Sequence, residues 1–231
     1  MKVSAPALLP ILRSDAVGEI LARLYLMPEH RWTLNALAEQ AGVSLPTLTR
    51  EADRMVAAGL VLEERVGRTR QLRCNRAART FEPLHRLMSL TYGPVPVLES
   101  ELSGLAGVAR AYVYGSWAAR HQGVEGPEPA DIDVLVVGDP DQDEVFDAGE
   151  RARVRLLREV NVRTVTTQSW ERARPRAGTT PGARVDQAGA GPDDGDPFLR
   201  HVLANPLVPL DLDAPTTHHA VASPHGAGQE E

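Results

Sequence analysis

Residues 112–138 constrain the fold more than any other part of the chain. They read YVYGSWAAR, then a loop rich in Gly and Pro, then DIDVLVVG. The two apolar runs predict β-strands, the first ending at Gly115-Ser116 and the second beginning with Asp131 and Asp133. Because side chains two apart on a strand point to the same face, we expect both carboxylates to share a face while the residue between them is buried.

These residue types suit a metal-bound phosphate. Paired carboxylates suit Mg²⁺, which takes oxygen ligands and usually keeps phosphates as partners. Gly115 lets the backbone turn sharply and approach a phosphate closely, and Ser116 offers a hydroxyl where a helix can begin. We therefore assign Asp131 and Asp133 as metal ligands. The nucleotide-binding residues are Gly115, Ser116 and Arg120. The sequence predicts a site for Mg²⁺ with a nucleoside triphosphate.

Gly115-Ser116 followed by Asp131-Ile132-Asp133 resembles the minimal nucleotidyltransferase domain of the DNA polymerase beta superfamily. The resemblance covers residues 95–165, and each motif lies at the end of an apolar strand. It implies a small α/β domain with a mixed sheet, which we place at residues 95–211, with a nucleoside triphosphate as ligand or substrate. The alternative is that the aspartates merely begin a strand and that Gly-Ser is an ordinary turn.

One position departs from the family pattern. Family members usually supply a third carboxylate from the next strand, which is predicted here at residues 160–166. The matching residue is Asn161, which completes a catalytic set with Asp131 and Asp133. Asparagine can ligate a metal through its carbonyl oxygen, but it cannot act as a general base near neutral pH. Glu159 lies on the same face and is a candidate substitute. Nucleotide binding is therefore better supported than nucleotide transfer.

The N-terminal part, residues 1–80, has a different pattern. Apolar positions at helical spacing and two β-type runs predict three helices and a hairpin. These elements are predicted at residues 15–26, 33–41, 44–58, 60–64 and 71–75. Helix, helix, turn, helix and hairpin is the order of a winged helix-turn-helix domain. This order resembles the ArsR-like bacterial repressors, and the resemblance implies binding of double-stranded DNA by a homodimer.

The third predicted helix would enter the major groove. The predicted DNA-binding residues are Thr47, Thr49, Arg50, Arg54, Arg68 and Arg70. The first three lie in the first half of the helix and are candidates for base contacts, whereas the fourth is assigned to phosphate. The last two belong to the hairpin tip and would enter the minor groove or bind the backbone. The alternative is a solvated face on a domain that contacts proteins.

Composition narrows the class of protein. The chain has 231 residues, of which 42% are hydrophobic, enough for a packed core. No apolar run approaches the roughly 18 residues of a membrane span, so we expect a cytoplasmic protein without a membrane partner. A single cysteine excludes intrachain disulfides and Cys-cluster zinc sites. The first 80 residues carry twelve basic and eight acidic side chains, against 13 and 23 in the remainder, so only the first part is expected to meet nucleic acid.

The remaining segments complete the expected organisation, which is α+β. Residues 81–94 predict a linker helix that can pack in a dimer interface. Composition predicts a mobile loop over 175–197 and a disordered tail over 212–231. Two functions stay open. One is a DNA-binding transcriptional regulator with a nucleotide-binding second domain. The other is an active nucleotidyltransferase, of antitoxin type or modifying small molecules, with the winged helix as a partner-binding module.

Overall fold

The structure is a computed structural model that describes residue 12 and residues 14–127, 129–174 and 196–213. Its α+β class is as predicted. The chain divides into two compact units between Pro96 and Val97. None of the described helices is long and apolar enough to cross a membrane.

Three helices precede a β-hairpin in the first unit. Their bounds are α1 Asp15–Leu26, α2 Leu34–Gln40, α3 Leu45–Ala57, and then β2 Val61–Val66 and β3 Thr69–Cys74. A two-residue strand, β1 (Trp32–Thr33), pairs with β3 to give an antiparallel sheet of order β1-β3-β2. A further helix, α4 (Phe81–Tyr92), packs against α1 and occupies the predicted linker region.

Polar caps fix the ends of these helices. The hydroxyl groups of Ser14, Thr33 and Ser44 each accept a hydrogen bond from an amide in the helical turn that follows. These bonds satisfy amides that the first turn of a helix leaves unpaired. Pro46 fits the first turn of α3, and Gly59, at φ +71°, ends that helix in the left-handed conformation favoured by glycine.

Buried apolar side chains of α1, α2, α3 and β3 form the core of the first unit. Its fully buried side chains include Ile20, Leu24, Tyr25, Leu37, Leu48 and Leu72. The hydroxyl of Tyr25 donates to the carbonyl of Leu60 at 3.0 Å, so this buried polar group is satisfied. The core therefore fixes α3 with one face inward and the opposite face outward.

The second unit is built on a mixed sheet of four strands. Its elements are β4 Val108–Tyr114, α6 Gly115–His121, β5 Asp131–Gly138, α7 Gln142–Leu156, β6 Glu159–Val165, α8 Thr167–Ala173, α9 Pro197–Leu203 and β7 Val208–Leu210, preceded by α5 Pro94–Leu102. The strand order is β6-β5-β4-β7. β5 and β6 are parallel and joined through α7, whereas the other pairs are antiparallel. The mixed sheet is as predicted.

Three features differ from expectation. Strand β1 was not anticipated, and the predicted linker helix over 81–94 is shorter, because α4 ends at Tyr92 and Pro94 already begins α5. The predicted mobile loop is too long by two residues, since Asp196 accepts a hydrogen bond from the amide of Phe198 and caps α9, which Pro197 begins. Residues 175–195 of that loop and residues 214–231 of the predicted tail lie outside the described residues.

Candidate functional sites

Asp131, Asp133 and Asn161 form a cluster at one end of the second sheet. In the parallel pairing of β5 with β6, Asp133 lies opposite Asn161. The amide nitrogen of Asn161 donates to Oδ2 of Asp131 at 3.1 Å and to Oδ1 of Asp133 at 3.2 Å. Ile132, between the aspartates, is fully buried. The structure therefore brings together the three side chains assigned to the catalytic set.

The electrostatics of this cluster disfavour two bare carboxylates. Burial raises the pKa of the Asp133 carboxyl, the hydrogen bond from Asn161 partly offsets that rise, and the negative charge of Asp131 adds to it. Like charges held close together oppose ionisation of each other, whereas a nearby cation favours it. A cation at the two carboxylates would relieve this repulsion.

The Gly115-Ser116 turn lies directly beside the carboxylates. Tyr114, the last residue of β4, pairs in register with Asp133. Gly115 follows with φ +75°, and a Cβ atom placed there would lie 2.5 Å from Oδ2 of Asp133. Ser116 is exposed in the first turn of α6. The positive φ and this close approach both require glycine, so the turn and the aspartates form one site.

Arg120 is not brought to this cluster. Its guanidinium donates to the carbonyl of Val124 and packs against Gly126, in the loop that follows α6. Among the described residues it makes no hydrogen bond or ion pair with either aspartate. Its visible contacts stabilise the loop, and its assignment to the nucleotide stays a prediction.

Sequence reasoning missed a group on the same face of the sheet. Arg163 follows Asn161 by two residues along β6, and its guanidinium carbon lies 3.5 Å from the centroid of the Phe198 ring. Tyr114 meets Phe198 edge-on, with ring centroids 5.6 Å apart. The Arg163 side chain is 51% exposed and lies 3.9 Å from Oδ2 of Asp196. The period of two along β6 is the signal that could have identified Arg163.

The donor set at this site contains two carboxylates. Within the part of the chain that the structure describes, no group of three or more His, Cys, Asp or Glu side chains could hold a metal ion. Asn161 occupies the position that a third carboxylate would take beside Asp131 and Asp133. Glu159 pairs in register with Asp131 and is exposed, and no contact of its side chain with the cluster is seen among the described residues.

The second candidate site is the outward face of α3. The buried face of this helix carries Leu48, Ala52 and Met55. On the opposite side Arg50 and Arg54 are exposed, whereas Thr47 and Thr49 are half-buried. The Oγ1 atom of Thr49 donates to the carbonyl of Leu45 at 2.8 Å. Thr47, Arg50 and Arg54 thus lie on one stripe of the helix, at spacings of three and seven residues, whereas Thr49 lies at the flank of that stripe.

Several of the arginines predicted to contact DNA form ion pairs with carboxylates of the protein itself. Nη1 of Arg54 lies 2.7 Å from Oε1 of the buried Glu51, whereas Nε of Arg50 is 3.7 Å from the same atom. Nη2 of Arg70 lies 2.6 Å from Asp53 on α3 and 2.8 Å from Glu63 on β2. Arg70 therefore ties the hairpin to α3 and is only 18% exposed.

Among the arginines predicted to contact DNA, Arg50 and Arg68 make no short ion pair within the described residues. The side chain of Arg50 is 62% exposed. Arg68 is exposed at the hairpin turn and makes no ion pair within the described residues. These two arginines are the ones that can meet phosphate or base without first breaking a short contact.

No family model, curated protein or solved structure matched this chain. The functional assignment therefore depends on the geometry of these two sites.

Proposed function

We propose that this protein is a DNA-binding transcriptional regulator whose second unit binds Mg²⁺ with a nucleoside triphosphate. The first unit would act as a winged helix-turn-helix domain. The observation that carries this reading is the two-sided character of α3, since one face is fixed in the core while the other presents Arg50 and Arg54 with Thr47. Thr49 lies at the flank of this outward face.

A helix with this arrangement is suited to the major groove. Arginine binds the O6 and N7 atoms of guanine through two hydrogen bonds, and threonine contacts bases or the thymine methyl group. Arg68, at the tip of the β2–β3 hairpin, would contact phosphate. Arg70 holds the hairpin against α3 through its contacts with Asp53 and Glu63.

A salt-resolved binding assay on duplex DNA from the protein's own promoter region tests the regulator. Arg50→Ala should lose about 1–3 kcal/mol of binding free energy on the specific duplex if it reads guanine. Arg68→Ala should weaken binding to all sequences and flatten the salt dependence. Arg172→Ala, an exposed arginine on α8 of the other unit, is the matched control. Weak, equal binding to every duplex, unaffected by Arg50→Ala, would contradict a sequence-specific regulator.

The second unit would act as a nucleotidyltransferase-like domain of the DNA polymerase beta type. Its donor set fits Mg²⁺, which is commonly held by one or two carboxylates together with substrate phosphates. Asp131 and Asp133 supply the carboxylate oxygens, and Asn161 lies within hydrogen-bond distance of both. When bound, Mg²⁺ would neutralise phosphate charge. Gly115 lets the turn lie directly against Asp133, because a Cβ atom there would be 2.5 Å from Oδ2 of that residue.

Transfer chemistry is proposed to be slow or absent. A third carboxylate would help to bind metal and would accept a proton from the attacking hydroxyl, and Asn161 can perform only the first role. Its amide nitrogen instead donates to both aspartates. The site therefore favours retention of the nucleotide as a bound ligand.

We also propose that the protein acts on DNA as a homodimer. The outward face of α4 carries Pro83, Leu87 and Leu90, and the Leu90 side chain is 61% exposed. Winged-helix regulators commonly read two half-sites, which requires two copies of α3. Pairing through α4 would cover this apolar face.

A further inference from the structure

We propose that Arg163 is a phosphate-binding residue of the second unit and that it selects nucleoside triphosphates over monophosphates. This inference rests on the proposed nucleotide site and identifies a residue that completes it. It is carried by the position of Arg163 on the same sheet face as the carboxylates, and by the fixed position of its guanidinium over Phe198.

The sheet register places Arg163 next to the carboxylate pair. Asn161 lies opposite Asp133, and Arg163 lies opposite Leu135, one pleat further along both strands. Side chains two apart on a strand share a face and are separated by about 6.6 Å along it. Leu135 itself is buried, so a triphosphate on a metal at Asp133 would meet Arg163 at its exposed guanidinium rather than across Leu135.

Two contacts hold the guanidinium in place. It stacks over the Phe198 ring at 3.5 Å, and the same ring packs edge-on against Tyr114, the register partner of Asp133. Stacking engages one face of the planar guanidinium and leaves its N–H edge free to donate. The Asp196 carboxylate at 3.9 Å is a long contact between exposed groups, which a phosphate can displace.

The charge of a triphosphate favours a further cation at this site. A triphosphate carries more negative charge than one Mg²⁺ ion neutralises, and Asp131 and Asp133 add to it. Two other arginines of this unit already donate hydrogen bonds to backbone carbonyls, Arg120 to that of Val124 and Arg158 to that of Pro129. Arg163 is half-exposed, and its planar fork matches phosphate oxygens through two hydrogen bonds.

Calorimetric titration with Mg-ATP and Mg-AMP tests this role, with Mg-GTP, Mg-CTP and Mg-UTP as further probes of the wild type. In Arg163→Gln, we expect the affinity for Mg-ATP to fall roughly 10- to 100-fold, while that for Mg-AMP changes little. Arg163→Lys keeps the charge but loses the fork and the stacking, and should show a smaller loss. Arg172→Gln, with the same charge change at an exposed site on α8, should match the wild type.

The outcomes separate this inference from the nucleotide site itself. If Arg163→Gln binds Mg-ATP as tightly as the wild type while Asp131→Ala does not, the role of Arg163 is overturned and the site stands. If the Arg163 variants lose Mg-ATP and Mg-AMP equally and melt at lower temperature, Arg163 only stabilises the fold, which also overturns it. If the wild type binds none of the four triphosphates, both the site and this inference are overturned.

Discussion

At the scale of single residues, Gly115 is needed for two reasons, its positive φ and its close approach to Asp133, and substitutions can separate them. It has a positive φ, as Gly123 does at +85°, but a Cβ atom at Gly115 would meet Asp133 whereas one at Gly123 would meet nothing within 4 Å. A left-handed conformation costs a non-glycine residue about 1–2 kcal/mol. The pair of glycines therefore distinguishes backbone strain from disturbance of the site.

We predict that Gly115→Ala and Gly123→Ala each lower the free energy of unfolding by about 1–2 kcal/mol, because both carry the same strain. Only Gly115→Ala should also weaken Mg-nucleotide binding, since its methyl group displaces the Asp133 carboxylate. Denaturant unfolding and calorimetry give the two quantities. Equal nucleotide affinity in both variants would show that the turn is not part of the site.

Asn161 controls the balance between binding and transfer. General-base assistance is typically worth about 10²–10⁴ in rate, so Asn161→Asp should increase nucleotide transfer if this position is the limiting defect. Self-labelling with a radiolabelled nucleotide is the assay, since it requires no separate acceptor, and Asn161→Ala is the control. Robust transfer by the wild type, abolished in Asp133→Ala but unchanged in Asn161→Ala, would instead support an active nucleotidyltransferase.

At the scale of elements, α3 depends on its cap. Ser44 accepts the amide of Thr47 and donates its hydroxyl to Oγ1 of the same residue at 2.9 Å. Ser44→Ala should therefore lower the free energy of unfolding by about 0.5–2 kcal/mol, whereas Ser44→Gly should cost only a few tenths. Chemical denaturation measures both variants. An equal cost for Ala and Gly would mean that the cap does not stabilise α3.

Local signals made the helices predictable. Ser44 and Gly59 act on their immediate neighbours, so the sequence around them identifies the start and end of α3. Strand β1 could not be predicted in the same way, because it is two residues long and is defined only by pairing with β3, about forty residues later. Gly93 and Pro94 also act locally, because α4 ends at Tyr92 before Gly93 and Pro94 begins α5.

The residues of the candidate site likewise differ in whether local sequence could predict them. The period of two in β5 predicts that Asp131 and Asp133 share a face, and the next apolar strand predicts Asn161 beside them. The period of two along β6 also places Arg163 on this face, but its stacking on Phe198 of α9 is a contact with a residue far away in sequence. Likewise, the contact of Arg70 with Asp53 depends on how the hairpin packs on α3. Such long-range side-chain contacts leave no periodic pattern in the sequence.

At the scale of the whole molecule, dimerisation through α4 would bring two copies of α3 to one DNA duplex. Leu90→Lys places a charge in the proposed interface and should shift the protein toward its monomer mass of 25.0 kDa. Phe146→Lys is the matched control, because Phe146 on α7 is also largely exposed, at 66%. Light scattering coupled to size exclusion measures the mass. A Leu90→Lys variant with wild-type mass would exclude this interface.

Each unit has its own proposed ligand, DNA for the first and Mg-nucleotide for the second, and Asp131→Ala tests this division most directly. Removing this carboxylate leaves one carboxylate to bind Mg²⁺ against the charge of a triphosphate. Calorimetry with Mg-nucleotide and with promoter duplex should therefore show that Asp131→Ala loses Mg²⁺-dependent nucleotide binding while retaining duplex affinity. Identical nucleotide affinity in the wild type and in Asp131→Ala would contradict the account.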